Sequence, residues 1–182
     1  MRAFIALELS DDLRSQFASV CQDLQQYNQK NANWVIPENL HITFQFLGDI
    51  YEFHLPEIKQ IITDKFADFQ PIQLSKPKLQ LIPSGKPRLL WVNYQAESDE
   101  LKSIHRHLVS DISDLGYKLD NKSLVFHVTL ARFKAALQEN FTAAAMKLQL
   151  DQISFSPDKV TLFKSILKPQ GPIYQPLFSF AL

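Results

Sequence analysis

Two short motifs in this sequence place an imidazole and a hydroxyl two residues apart. His41 and Thr43 form the first motif, and His127 and Thr129 form the second. Both lie in runs of β-branched and aromatic residues that alternate with period two, which predicts β-strands. Residues i and i+2 of a strand share a face, so each strand presents one histidine and one threonine on its more polar side.

Two imidazoles and two hydroxyls suit phosphoryl transfer. Imidazole titrates near neutral pH, so one ring can accept a proton while the other donates one. The opening of a cyclic phosphodiester requires a base that activates water and an acid that protonates the departing ribose oxygen. Because the displacement is in-line, acid and base must lie on opposite sides of phosphorus. The hydroxyls of Thr43 and Thr129 can then bind the non-bridging oxygens and hold the phosphorus between His41 and His127.

The surroundings of the two motifs repeat as well. Ser10-Asp11-Asp12-Leu13 corresponds to Ser98-Asp99-Glu100-Leu101, at nearly the same offset that separates the two histidines. A short apolar strand precedes each serine. Each half is therefore predicted as a strand, a capped helix and a strand that carries His-x-Thr. Two copies of one unit commonly pack about a pseudo-twofold axis, which would bring both motifs to one cleft.

The pattern predicts an α+β fold in one domain that spans residues 1–182. We expect two pseudo-symmetric lobes, from units of about 1–87 and 88–182, whose terminal strands can cross between them. Each lobe is predicted to have an antiparallel-type sheet with helices on its outer face, around a central cleft. Helices are predicted at about 10–29, 56–66, 98–115 and 138–148. Besides the two motif strands, strands are predicted at 2–9, 88–95, 151–156, 159–168 and 173–181, and residues 72–82 are predicted as two short strands or one broken strand.

The face of each motif strand opposite the histidine is predicted to belong to the core. Strict alternation places these apolar residues there: Ile42, Phe44 and Phe46 in the first strand, and Phe126, Val128 and Leu130 in the second. Phe46, Trp34 and Trp91 are also candidates for stacking on a nucleobase, although core packing is the commoner fate of such residues. Of the other histidines, His54 is expected in a loop, and His105 and His107 on a solvated helix face.

The bulk composition has no electrostatic bias. The chain has 19 lysines and arginines against 19 aspartates and glutamates, which does not predict a surface that grips many phosphates of a long nucleic acid. One end of an RNA, or a small cyclic nucleotide, remains compatible as substrate. Four cations are equally compatible with a basic rim and with an ordinary solvated surface: Lys76, Lys78, Lys86 and Arg88.

Several classes of site and location are not predicted. Cys21 is the only cysteine, so it can form no internal disulfide and no thiolate cluster, and it is expected to be a small packing residue. The histidines do not recur at the spacing of metal ligands. The N-terminal apolar run is short and contains Glu8, and no stretch approaches the ~18 apolar residues of a membrane span. We expect a cytoplasmic monomer with no cofactor and no membrane partner.

These features resemble a known superfamily. Paired His-x-Thr motifs, the first as Asn39-Leu-His-Ile-Thr-Phe-Gln-Phe-Leu-Gly48, are similar to those of the two-histidine phosphoesterases. Within that superfamily the chain most resembles the RNA 2′,3′-cyclic phosphodiesterases, also called 2′-5′ RNA ligases. The stretches Arg2-Ala-Phe-Ile-Ala-Leu, Pro87-Arg-Leu-Leu-Trp91 and His127-Val-Thr-Leu-Ala-Arg132 stand where that family has similar ones. The likeness covers essentially the whole chain.

The resemblance implies two pseudo-symmetric lobes around a central cleft, and an activity. The reaction would be the metal-independent opening of a 2′,3′-cyclic phosphate at an RNA end, which leaves a 2′-phosphate. By analogy, His41 would be the proton donor to the 3′ oxygen, and His127 the proton acceptor that activates water. In the reverse direction the same groups would join a 5′-hydroxyl to the cyclic phosphate.

Two positions depart from the family pattern. The family usually has proline immediately before the second histidine, where this chain has Phe126, and often arginine five residues before it, where this chain has Lys122. Lysine keeps the charge and loses the two-pronged geometry that arginine offers a phosphate, so Lys122 is a candidate substrate contact. Arg132 matches a family arginine that is a candidate phosphate contact. Strict alternation places it on the face opposite His127, so this role requires a bulge or a strand end.

Two further hypotheses remain open. The neutral net charge motivates a small cyclic or 2′-5′-linked nucleotide as the substrate in place of an RNA end. The departures at Phe126 and Lys122 motivate a non-catalytic RNA- or nucleotide-binding module that retains the cleft. Such a module would bind a 2′-phosphate product and hydrolyse nothing.

Overall fold

The structure is a computed structural model that describes residues 1–27, 32–120, 122–148, 150 and 154–182. The strands of the described residues are β1 (Arg2–Glu8), β2 (Ala32–Trp34), β3 (His41–Asp49), β4 (Leu74–Ile82), β5 (Leu89–Ala96), β6 (His127–Phe133), β7 (Lys159–Lys168) and β8 (Gly171–Ala181). The helices are α1 (Asp11–Gln25), α2 (Leu55–Phe66), α3 (Glu100–Asp114) and α4 (Glu139–Lys147), with 3₁₀ turns at Pro37–Asn39 and Glu52–His54.

The eight strands belong to one antiparallel sheet. The order along it is β4-β5-β6-β3-β1-β7-β8, and β2 also pairs with β6. The groups β4-β5-β6 and β3-β1-β7-β8 meet through a single residue pair, Ile42 with Val128. The late strands β7 and β8 extend the sheet beyond β1. This is an α+β architecture with an antiparallel sheet, as the sequence predicted.

Local signals in the sequence account for the starts and ends of the longer helices. The Ser10 side chain caps α1 and accepts a hydrogen bond from the Leu13 backbone N–H at 3.3 Å. Pro56 stands in the first turn of α2, where its missing N–H has no consequence. Gly116 follows α3 with a φ of +94°, the left-handed conformation that ends many helices. Each of these helices buries an apolar stripe in one common core.

Some predicted boundaries shift. The helix α3 begins at Glu100 and not at Ser98, whose hydroxyl accepts from the Glu100 N–H at 3.4 Å. The strand β4 is a single strand with a break, because Lys76 has a φ of +51° and the pairing with β5 is interrupted there. Phe155, in the predicted strand 151–156, makes only one isolated bridge. Residues 151–153, and the predicted helix end near residue 29, lie outside the described residues.

Within the described ranges, no helix has the length and apolar character needed to cross a membrane. The same ranges contain no group of three or more His, Cys, Asp or Glu side chains arranged to hold a metal ion. Cys21 is buried on the apolar stripe of α1, as predicted. Burial raises the pKa of its thiol to about 12, so it stays protonated and acts as a packing residue.

Candidate active site

The two His-x-Thr motifs begin strands that pair with each other. Their middle residues, Ile42 of β3 and Val128 of β6, are partners, and both side chains are fully buried. Because antiparallel strands run in opposite directions, this register places each histidine opposite the threonine of the other motif. Alternation along the strands puts all four of those side chains on the face away from the core. They line one cleft of about 1480 Å³.

A β-bulge follows each motif at the same place. The pairing of β3 with β1 skips Phe44, and the pairing of β6 with β5 skips Leu130. A bulge adds one residue to a strand and reverses the faces of the side chains beyond it. Phe46, which strict alternation assigns to the core, is therefore 57% exposed and lines the cleft. The core prediction for Phe46 is wrong for this reason.

The second bulge brings Arg132 to the cleft. Arg132 is exposed and lines the same cleft as the motif histidines, so the bulge that its expected role requires is present. Along their first seven residues, β3 and β6 have the same succession of buried, half-buried and exposed side chains. Phe46 and Arg132 occupy equivalent places, five residues after their histidines. The two halves of the cleft thus share a backbone and differ in this side chain.

A backbone carbonyl two residues earlier holds each histidine ring. His41 Nδ1 lies 2.7 Å from the carbonyl oxygen of Asn39, and His127 Nδ1 lies 3.1 Å from that of Val125. A carbonyl oxygen can only accept, so Nδ1 carries a proton in both rings. The neutral ring therefore has its free lone pair on Nε2. In His41 this atom lies 3.0 Å from Thr43 Oγ1, whose hydroxyl donates to it.

Burial lowers the pKa of both motif histidines. The pKa of His41 falls to about 4, with loss of solvation as the largest cause and the Asn39 carbonyl opposing it. The positive charges of His127, Arg14 and Arg132 lower the pKa of His41 further. The pKa of His127 is also lowered, mainly by burial, with a backbone carbonyl opposing and Arg132 adding to the fall. Both rings are neutral at pH 7 in the free protein.

The cleft is basic although the chain is neutral. The charged side chains that line it are Arg2, Arg132, Lys134 and Lys168, with no aspartate or glutamate of the described residues among them. The basic rim considered from the sequence, at Lys76, Lys78, Lys86 and Arg88, does not line it. No sequence pattern connects the other cations, because they come from the start of β1, the end of β6 and the β7–β8 hairpin. Only the strand order brings them together.

A protein-family model matches residues 15–167, and its description is the 2′-5′ RNA ligase superfamily. The chain belongs to this superfamily. An RNA 2′,3′-cyclic phosphodiesterase of Archaeoglobus fulgidus is 32% identical over 184 residues, with 99% of each chain covered. At this identity over the full length, the chain belongs with the RNA 2′,3′-cyclic phosphodiesterases of the superfamily.

Solved structures share the fold. A crystal structure of a Thermus thermophilus protein matches with a TM-score of 0.79 and 24% identity, covering 100% of this chain and 98% of that one. Escherichia coli LigT, solved in complex with 3′-AMP, matches with a TM-score of 0.75 and 20% identity, covering 100% and 97%. At these identities the likeness shows the fold, an α+β architecture shared with LigT.

In this member of the superfamily, Lys122 lies away from the cleft. Its Nζ pairs with the Asp120 carboxylate at 2.7 Å, and its side chain is largely exposed beside a separate groove along α3. The structure therefore does not bring Lys122 to the motif histidines. Phe126, the other departure from the family pattern, is buried in the core. Both departures thus lie outside the cleft.

His105 is buried, and the prediction of a solvated position is wrong for it. Only 4% of His105 is exposed, and its Nε2 donates to Gln45 Oε1 at 2.8 Å. The spacing of Leu101, His105, Leu108 and Ile112 is the signal that identifies it, because it places His105 on the apolar stripe of α3. His107 is exposed, as predicted.

Aromatic rings of the neighbouring strands pack on both motif histidines. The ring of Phe4 in β1 lies 5.0 Å from that of His41, and the indole of Trp91 in β5 lies 4.3 Å from that of His127. Trp91 also donates through Nε1 to Gln80 Oε1 at 3.0 Å, so it is part of the sheet and does not line the cleft. Trp34, by contrast, does line the cleft.

Proposed function

We propose that this enzyme opens 2′,3′-cyclic phosphates at RNA ends to 2′-phosphates, without a metal, by acid–base catalysis with His41 and His127. The observation that carries the proposal is the crosswise placement of the motifs, with each imidazole opposite the hydroxyl of the other motif. Both rings have Nε2 as the reactive nitrogen, and both line one cation-rich cleft. Membership of the family supports the substrate class.

The reaction needs one proton to leave the nucleophile and one to reach the leaving group. Water attacks phosphorus opposite the 3′ oxygen, and His127 Nε2 takes a proton from it. The bond from phosphorus to the 3′ oxygen breaks as the bond to water forms, and His41 Nε2–H protonates the 3′ oxygen. This division of roles follows the family resemblance. With a 5′-hydroxyl of a second RNA in place of water as the nucleophile, the same displacement breaks the bond to the 3′ oxygen and forms a 2′-5′ linkage.

The remaining cleft residues are proposed to hold the substrate. When His41 Nε2 is protonated, it no longer needs the hydroxyl hydrogen of Thr43, which becomes free to bind a non-bridging oxygen. Thr129 has the equivalent place in the second motif. Arg132 supplies a charge-assisted hydrogen bond to the phosphate. Phe46, exposed at the place in β3 that Arg132 has in β6, offers a face for the terminal base.

The test is hydrolysis of an RNA with a 2′,3′-cyclic end, in EDTA, from pH 3.5 to 9, a range that spans the lowered pKa values of both motif histidines. We expect turnover to a 2′-phosphate, a bell-shaped pH profile, and loss of turnover in His41→Ala and in His127→Ala. The exposed His107 gives the matched control, since His107→Ala should turn over like the unaltered enzyme. Near-normal turnover in both motif variants, or a 3′-phosphate product, would contradict the proposal.

The charge of the cleft favours an RNA end over a small cyclic nucleotide as the substrate. Lys134 and Lys168 add charge to that of Arg132, and no carboxylate of the described residues faces them across the cleft. Each phosphate of a single-stranded RNA that the protein binds makes the slope of log affinity against log salt concentration more negative by about 0.7. We expect the KM for cyclic-ended RNA to rise more steeply with salt than that for a cyclic mononucleotide.

Substitution of the two lysines tests this reading of the cleft. Lys134→Gln with Lys168→Gln should flatten the salt dependence for RNA and leave the mononucleotide unaffected, whereas Lys118→Gln, an exposed lysine outside the cleft, should change neither. Equal salt slopes for RNA and mononucleotide in the unaltered enzyme would favour the small nucleotide as substrate.

A non-catalytic binding module is the competing function. This hypothesis rests on the departures from the family pattern at Phe126 and Lys122. Neither of these side chains lines the cleft. The residues proposed for acid–base chemistry are unaffected by either departure. Binding of a 2′-phosphate product without hydrolysis at any pH would favour the module.

A further inference from the structure

The two motif histidines share a backbone geometry, and their surroundings differ. Each ring is tethered to the carbonyl of the residue two positions earlier, which is Asn39 for His41 and Val125 for His127. Asn39 has a polar side chain that makes a second contact. The side chain of Val125 has no hydrogen-bonding group, and the residue is 45% exposed. This pair of equivalent positions is a second place, besides Phe46 and Arg132, where the two halves of the cleft differ.

The Asn39 side chain joins the first motif to the β7–β8 hairpin. Its Nδ2 donates to the carbonyl oxygen of Pro172, near the start of β8, at 2.8 Å. The same residue thus holds the His41 ring through its main chain and the hairpin through its amide. Two residues beyond Pro172, Tyr174 places its ring edge-on to that of His41, with the centroids 5.3 Å apart.

Phe4 adds a second aromatic ring beside that of Tyr174. Its ring lies 5.0 Å from His41 and 4.8 Å from Tyr174, so the three rings form one cluster between β1 and β8. The imidazole of His41 therefore packs against two adjacent aromatic rings and is tethered to the Asn39 carbonyl. His127 contacts the single ring of Trp91. No strand of the described residues covers His127 as β8 covers His41.

We propose that Asn39 and Tyr174 are positioning residues that hold the His41 imidazole in one water-shielded orientation and thereby make the two motif histidines unequal. The Asn39 amide fixes the hairpin, and the hairpin keeps the Tyr174 ring over His41. The catalytic consequence rests on the proposed function: the enclosed His41 donates the proton, and the open His127 accepts one.

The charges around His41 make the effect of enclosure measurable. Glu8 of β1 stands opposite His41 in the sheet register, Arg14 of α1 contacts Glu8 at 3.5 Å, and His127 and Arg132 face it from β6. Tyr174, from β8, is the group that replaces water. Substitution of its ring by an aliphatic side chain alters none of these charges. A change in the titration of His41 then reports the access of water, which burial removes in the intact protein.

The experiment is a titration of both imidazoles by ¹⁵N NMR in the full chain, beside the pH profile of kcat/KM on cyclic-ended RNA. In Tyr174→Leu and Asn39→Ala we expect the midpoint of His41 to rise by about one pH unit or more towards its ordinary value. The limb of the pH profile that belongs to His41 should move by the same amount. The midpoint of His127 should not move.

Two control variants separate positioning from a general loss of structure. Tyr174→Phe keeps the ring and should titrate like the unaltered protein. Val125→Ala alters the position equivalent to Asn39 and should leave His41 in place. An unmoved His41 midpoint in folded Tyr174→Leu, equal shifts of both histidines, or a shift in Tyr174→Phe as large as in Tyr174→Leu would each overturn the proposal. The NMR arm needs no turnover, so an inactive enzyme would contradict the proposed function alone.

Discussion

At the scale of single residues, backbone carbonyls decide which nitrogen of each motif histidine is free to react. The residue types, their spacing and their common face were predictable, because they follow from the alternation of a strand. The tethers from Asn39 and Val125 were not, because the direction of a carbonyl depends on how the chain enters the strand. For His41 that entry is the 3₁₀ turn Pro37–Asn39. The residues Pro37-Glu-Asn39 predict a turn there but not the direction of its carbonyls.

The low pKa of His41 predicts an uptake of protons on anion binding. Both motif rings are neutral in the free protein at pH 7, and an anion beside them favours their charged forms, so each pKa rises on binding. Sulfate stays ionised at this pH and is a suitable probe. We expect its addition to unbuffered protein at pH 7 to consume protons, measured by pH-stat titration, and chloride at equal ionic strength to consume fewer.

His41→Gln is the matched variant for this measurement. It removes the most strongly shifted imidazole and should reduce the uptake, whereas His107→Gln should not. Equal proton uptake in the His41 variant and the unaltered protein would show that groups other than His41 bind these protons.

At the scale of elements, the paired bulges explain most of what alternation could not predict. Period-two patterning located β3 and β6 and the core positions of Ile42 and Val128. It placed Phe46 in the core, because a one-residue bulge leaves no mark in the residue types around Phe44 or Leu130. A bulge before Arg132 could be predicted only because the family resemblance makes this side chain a candidate phosphate contact.

A buried polar pair supports the first bulge, and it predicts a coupled loss of stability. Gln45 accepts from His105 and donates to the carbonyl oxygens of Phe46 and Asp120, at 2.9 and 3.2 Å. Gln45→Leu or His105→Leu leaves buried polar groups without a partner, at a cost of about 1–3 kcal/mol. In urea unfolding, the double variant should lose less than the sum of the single losses.

The exposed neighbour on the same helix is the control for this cycle. His107→Ala should change the free energy of unfolding by no more than about 0.5 kcal/mol. Strictly additive losses for Gln45 and His105 would mean that the pair does not act as a unit.

At the scale of the whole molecule, strand order assembles what the sequence keeps apart. The α+β class and the antiparallel sheet were predictable from patterning and the family resemblance. The basic cleft was not, since Arg2, Lys134 and Lys168 lie in three distant segments and meet only because β7 follows β1 in the sheet. Net charge is a property of composition, and it conceals this separation of charges.

Three histidines that lose solvation in the folded protein predict how stability depends on pH. Burial lowers the pKa of His41 to about 4 and lowers those of His105 and His127. Between the folded and unfolded pKa values the unfolded chain binds more protons, so the free energy of unfolding rises with pH there. We expect it to fall as pH drops from 6.5 to 4, with His41 alone contributing about 3 kcal/mol.

Urea unfolding at pH 4.5, 5.5, 6.5 and 7.5 measures this dependence. The lowered pKa values of Asp99 and Asp120 act below 3.8, outside this window. His41→Gln should flatten the profile, and His107→Gln should leave it unchanged. A profile as steep in the His41 variant as in the unaltered protein would contradict the assignment.

The pairing of β1 with β7 also has a consequence during synthesis on the ribosome. β1 is made well before its partner β7, because Lys159–Lys168 follow it about 150 residues later in the chain. At common translation rates of about 5–20 residues per second, one edge of β1 waits roughly eight to thirty seconds for its neighbour. During that interval the nascent chain presents one open edge of an apolar strand, which can pair with other chains until the β7–β8 hairpin emerges.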